Sequence, residues 1–92
     1  MKCLYKCRFY GHCPTDNALI TYDFELESDV VLSVEFIIEC LDHYSFKFHK
    51  KLFQEEITKH FYDKLHLENH HGTYKVTTKG IHSNVEIVCV CE

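Results

Sequence analysis

The most regular feature of the chain is a run of strict alternation: Ile20, Tyr22, Phe24 and Leu26 are apolar, and Thr21, Asp23, Glu25 and Glu27 between them are polar. A period of two is that of a strand with one face buried and the other wet. The segment Cys3 to Tyr10 also reads as a strand. Between the two lies Gly11 to Asn17, where Gly, Pro, Asp and Asn gather as they do in loops. Two strands joined by so short a loop pair antiparallel.

Beyond Ser28-Asp29 and the short apolar run Val30-Val31-Leu32 the period changes. After Ser33, a residue suited to capping, Val34, Ile37, Ile38, Leu41 and Tyr44 recur at three- and four-residue intervals, which predicts a helix through about residue 45. Phe53, Ile57, Phe61 and Leu65 form the stripe of a second helix, stopped by the polar stretch His66 to Gly72. Thr73 to Thr78 returns to strand character, with a turn expected to start at Lys79-Gly80. In the last segment Val85, Ile87, Cys89 and Cys91 face one way and Val88 and Val90 the other. A strand apolar on both faces is expected at the centre of a sheet or at a subunit contact. The pattern as a whole predicts one α+β domain over residues 1–92, ordered ββααββ, with two helices on one face of a four-stranded antiparallel sheet.

Composition narrows the reading. With 92 residues, 46% of them hydrophobic and 26% charged, the chain suits one small globular domain and not a disordered segment. The formal charge of −4 and the absence of a Lys/Arg block weigh against a nucleic-acid surface. They also make Tyr5, Phe9, Tyr10, Tyr22 and Phe24 core residues sooner than a base-stacking platform. No apolar segment follows the N-terminal charges and none is long enough to span a bilayer, so a cytoplasmic protein without membrane attachment is expected. In a reducing compartment Cys3, Cys7, Cys13, Cys40, Cys89 and Cys91 remain thiols.

Three groups of residues carry candidate chemistry. His12-Cys13-Pro14 places a thiol on a loop between strands, with His12 and Asp16 near enough in sequence to set its protonation; a nucleophilic cysteine needs such exposure and such neighbours. Glu55-Glu56 opens the second helix, where carboxylates also suit the helix dipole. Eight histidines raise a metal reading, but no C-x-x-C pair occurs. Cys89-x-Cys91 with His70 or His71 would become a zinc site only through the fold, so no metal ligand is assigned.

The element order, with its chemistry on the first hairpin and the second helix, resembles the tunnelling fold of pterin- and purine-handling enzymes. Within that fold the sequence is most similar to the nitrile reductases of 7-cyano-7-deazaguanine, the queuosine precursor. Those enzymes have Cys-Pro and then Asp in the first hairpin loop, matched by Cys13-Pro14 and Asp16. Their Val-Glu at the start of the first helix is matched by Val34-Glu35 and a later Ser-Phe by Ser45-Phe46. Their Phe-His-Glu at the second helix stands here as Phe53-Gln54-Glu55.

The resemblance implies that Cys13 attacks the nitrile to give a thioimide, that Asp16 manages the proton, and that Glu55 and Glu35 bind the substrate. It implies a purine- or pterin-like small molecule as ligand, a homo-oligomer with sites between subunits, and NADPH or a transfer RNA as further partners. The Cys-to-Asp interval is shorter here than in the reductases. The basic segment they use for NADPH is Phe36-Ile37-Ile38-Glu39-Cys40. An archaeal branch that also lacks that segment adds ammonia to the same nitrile within transfer RNA, forming archaeosine. Two readings of other kinds stand beside the enzyme: a non-catalytic binding or assembly module of the same fold, and a pterin-handling zinc enzyme such as a tetrahydropterin synthase.

Overall fold

The alternating segment becomes the second strand of a four-stranded antiparallel sheet. The computed structural model describes residues 1–44 and 53–92, in the order β1 (Cys3–His12), β2 (Leu19–Ser28), α1 (Val34–Tyr44), α2 (Gln54–Glu68), β3 (Tyr74–His82) and β4 (Val85–Cys91). The strands lie in the order β1-β2-β3-β4, every neighbouring pair antiparallel. Among the described residues no helix is long and apolar enough to cross a membrane.

Register sorts the side chains. Phe9 pairs with Tyr22, Cys7 with Phe24, Leu26 with Val76 and Phe24 with Thr78, so these residues share one face. That face carries the core: Phe9, Ile20, Tyr22, Phe24, Leu26, Tyr74 and Val76 are buried under Ile37, Cys40 and Leu41 of α1 and Ile57, Phe61 and Leu65 of α2. Full burial of an aliphatic side chain such as Leu26 or Val76 contributes roughly 1.5–3 kcal/mol. The other face bears Lys6, Arg8, Asp23 and Glu25, joined in exposed pairs, Arg8 to Asp23 at 3.0 Å and Lys6 to Glu25 at 3.6 Å.

Ser33 caps α1 as its sequence suggests, its Oγ accepting the Phe36 N–H at 3.1 Å. The buried stripe of α1 is shifted from the expected one: Val34 and Ile38 are exposed and Cys40 is buried with Ile37 and Leu41. The Tyr44 side chain and Ser45-Phe46 lie outside the described residues. In α2, Phe53 sits at the N-cap and is exposed, so the stripe begins at Ile57. Asn69 closes the helix, donating its N–H to the Leu65 carbonyl at 2.9 Å.

Two strand expectations change. Lys79-Gly80 does not turn; β3 runs on to His82, and the turn is Ser83-Asn84, with Ser83 at a positive φ of 57°. Gly80 is there for space, because an added Cβ would lie 2.8 Å from Cδ1 of Tyr22, its partner across β2. β4 is an edge strand, not a central one, and Val85, Val88 and Val90 are exposed along it.

Candidate functional site

The face that holds the core also gathers the candidate chemistry, at the end of the sheet beyond the first turn of α2. Alternation along β1 puts Phe9, Gly11 and the following Cys13 on one side. Alternation along β3 puts Thr78, Gly80 and His82 on that same side. The β1–β2 loop is tied across its base: the Cys13 N–H donates to the Ala18 carbonyl and the Asn17 N–H to the Cys13 carbonyl, each at 2.9 Å. Asn17 takes a positive φ of 61°, a conformation asparagine tolerates.

Within this loop Asp16 turns back toward Cys13. Its Oδ1 accepts the Ala18 N–H at 3.0 Å, and its Oδ2 lies 2.9 Å from Nε2 of His82. The donor atoms of Cys13, Asp16 and His82 lie within 4.8 Å of one another. The Ala18 N–H, and after it the His82 ring and the Cys13 thiol, hold the Asp16 carboxyl below its ordinary range. Asp16 is therefore an ionised acceptor facing a thiol. The three-residue interval, shorter than in the resembled enzymes, still brings carboxylate and thiol together.

Glu55 joins the same end of the face from α2. Its charge reaches Tyr22 and Cys89. Burial first, and then Cys13, Cys89 and Glu55, push the Tyr22 phenol up to about 12. Burial first, and then Glu55, push the Cys89 thiol up. The neighbouring Glu56 is used locally: its Oε1 accepts the N-cap N–H of Phe53 at 3.0 Å. That leaves Glu55 as the acidic residue of the pair open to a ligand.

Gln54, which stands where the resembled motif has histidine, is structural. Its Nε2 reaches the Thr78 carbonyl at 3.0 Å, Thr78 Oγ1 at 3.1 Å and the Ile87 carbonyl at 2.9 Å, fastening α2 to β3 and β4. Glu35 is exposed on the first turn of α1, and among the described residues no hydrogen bond or ion pair joins it to Cys13, Asp16 or Glu55. The cluster of Cys89, Cys91 and His70 or His71 does not form among the described residues; Cys13, Asp16 and His82 are the group that does.

Sequence reasoning missed His82. It lies far from Cys13 in the chain, and its signal was parity: once β3 extends past Gly80, His82 falls on the same face as Thr78. A cavity of about 580 Å³, lined by Lys2, Ser28, Tyr62, His66 and Tyr74 among others, opens at the opposite end of the sheet and includes none of the site residues.

No protein-family model matches the chain, and no curated protein matches it. Among solved structures, the crystal structure of the archaeosine synthase QueF-Like in the apo form superposes with a TM-score of 0.83. The match covers 98% of this chain and 90% of that one at 21% sequence identity. The likeness is one of fold: the ββααββ arrangement expected from the sequence, a four-stranded antiparallel sheet with two helices on one face, is the tunnelling fold.

Proposed function

We propose that the chain belongs with the archaeosine- and queuosine-forming branch of this fold and acts on the nitrile of a deazapurine through a covalent thioimide on Cys13. The observation that carries the reading is that the Cys13 thiol and the Asp16 carboxylate lie within 4.8 Å of each other on the first hairpin loop, in the fold of a protein named as an archaeosine synthase. Cys13 is half-buried, with its loop open to the solvent side, as a nucleophile requires.

The step balances within the site. The thiol passes its proton to the Asp16 carboxylate as sulfur adds to the nitrile carbon. Asp16 then returns that proton to the nitrile nitrogen, leaving a C–S bond and an imine N–H. Glu55 grips the ring N–H edge of the base, supported by its position on the same end of the face. Glu35, exposed on the first turn of α1, serves the substrate from a subunit contact.

Two fates are open to a thioimide. Ammonia attacking the carbon expels the Cys13 thiol and leaves an amidine; hydride from NADPH reduces the carbon instead. The apolar Phe36-Ile37-Ile38 in α1, where the reductases have their basic segment, favours the first. The deazapurine, free or within transfer RNA, is then the substrate, and the reaction belongs in the cytoplasm. The exposed apolar rows on the two sheet edges, Leu4 and Tyr10 on β1 and Val85, Val88 and Val90 on β4, support a homo-oligomer formed by strand pairing.

Mixing the protein with 7-cyano-7-deazaguanine and weighing it intact tests the mechanism. The expected mass increase equals the whole ligand and is absent in Cys13→Ala. No adduct at millimolar ligand, or full turnover by Cys13→Ala, sinks it.

A further inference from the structure

Three donors of different chemistry meet where β1 leaves the sheet: the Cys13 thiol, an Asp16 carboxylate oxygen and a His82 ring nitrogen, mutually within 4.8 Å. Zinc bonds to sulfur at about 2.3 Å and to imidazole or carboxylate at about 2.0–2.2 Å, which sets tetrahedral ligands roughly 3.2–3.8 Å apart. The three donors thus stand close to the footprint of one such ion, and small side-chain rotations close the difference.

Each donor is also oriented from outside. The Ala18 N–H holds Asp16 Oδ1 at 3.0 Å and leaves Oδ2 facing inward. The Ser83 hydroxyl lies 3.3 Å from His82 Nδ1, which leaves Nε2 pointed at Asp16 at 2.9 Å. Backbone bonds to Asn17 and Ala18 fix Cys13. Outer hydrogen bonds that hold the Asp16 and His82 side chains with one atom inward are of the kind that orient ligands in metal sites. Thiolate, imidazole and carboxylate together suit zinc among the common divalent ions and do not suit magnesium or calcium.

We infer that Cys13, Asp16 and His82 form a reversible site for a zinc-class divalent cation, water completing the tetrahedron, and that the bound metal masks the Cys13 thiol. Binding forms an S–metal bond and releases the thiol proton to solvent; the Asp16 contacts to Cys13 and His82 give way to contacts with the metal. Two of the ligands come from one hairpin loop and the third from the end of β3, so the cation also clasps the loop onto the sheet. Among the described residues no other group of three such donors converges.

The test uses the full chain, reduced and stripped of metal. Titration with cobalt(II) is expected to give thiolate-to-cobalt charge transfer and tetrahedral ligand-field bands that saturate at one equivalent and are displaced by zinc. Cys13→Ser is expected to abolish the charge transfer, and Asp16→Ala and His82→Ala each to weaken binding about tenfold or more. Ser83→Ala, which keeps every ligand, is expected to weaken it less and guards against misreading a folding defect. One equivalent of zinc is expected to slow alkylation of the Cys13 peptide at least tenfold, reversed by a chelator. Absent bands, bands that survive Cys13→Ser, affinity unchanged by His82→Ala, or undiminished alkylation of Cys13 overturns the site. Neither readout uses a nitrile. A chain that binds cobalt at Cys13 yet forms no thioimide refutes the proposed function alone, and one that forms the thioimide yet binds no cobalt refutes this site alone.

Discussion

Nε2 of His82 lies 2.9 Å from Oδ2 of Asp16, linking the last residue of β3 to the loop that carries Cys13. Both side chains are partly open to solvent, so the pair itself contributes little to folding. Its effect is on the carboxylate, which it helps keep ionised beside the thiol.

From that pairing the consequences for Cys13 separate into chemistry and stability. Asp16→Asn removes the acceptor for the thiol proton and is expected to slow thioimide formation about 10²-fold or more. Its melting temperature is expected to move little, because the Ala18 N–H keeps a carbonyl acceptor in the same place. Time-resolved intact mass with a parallel melting curve checks both. An unchanged adduct rate would remove Asp16 from the mechanism.

The fold was legible where the hydrophobic period was clean. Alternation from Ile20 to Leu26 gave β2, and the four-residue stripe of Ile57, Phe61 and Leu65 gave α2. Failures came where a residue has a use that its type does not advertise. Gly80 reads as a turn, but it is the slot for the Tyr22 ring. Phe53 extends an apolar stripe, but it lies outside the helix. β4, apolar on both sides, is expected at the centre of the sheet or at a subunit contact; it is an edge strand, and its own period does not tell the two apart. The meeting of Cys13 and Asp16 was legible because they lie three positions apart on one short loop. His82 was not, since its place depends on the register of β3 with β2.

Gln54 gives a separable test of how α2 is held. Buried, it serves three acceptors on Thr78 and Ile87, while Thr58 Oγ1 donates to its carbonyl at 2.8 Å and shares a hydrogen bond with Thr78 Oγ1 at 2.6 Å. Gln54→Leu strips the donor from buried carbonyls and is expected to cost about 1–3 kcal/mol. In a domain of this size each kcal/mol lowers the melting temperature by about 4–8 °C. Calorimetry showing no loss would mean that water or a neighbouring group replaces the amide.

The two glycines that flank Tyr22 differ in tolerance. A Cβ on Gly80 would lie 2.8 Å from Tyr22 Cδ1 and 2.9 Å from Gln54 Oε1, whereas one on Gly11 would lie 3.1 Å from Tyr22 Cε2. Gly80→Ala is expected to destabilise by about 1–3 kcal/mol as an overpacked core does, and Gly11→Ala by less. Combining Gly80→Ala with Tyr22→Leu is expected to recover part of the loss, because the ring is what the methyl meets. Urea midpoints of the four proteins decide it; equal costs at the two glycines would contradict the packing.

Tyr22 and Cys7 contribute to the alkaline limit of the fold. Burial is the main cause that pushes the Tyr22 phenol from 10.0 to about 12, and it alone pushes the Cys7 thiol from 9.0 to about 11. Both are acids whose neutral form the folded chain prefers, so the folded value lies above the unfolded one. The stabilisation is whole below pH 9.0, falls for Cys7 between 9.0 and about 11, and falls for Tyr22 between 10.0 and about 12. Urea midpoints measured across that range are expected to drop in two overlapping steps. Cys7→Ala is expected to flatten the first step and Tyr22→Phe the second. If the Tyr22→Phe protein loses stability as steeply as the parent up to about pH 12, the phenol is not the group being titrated.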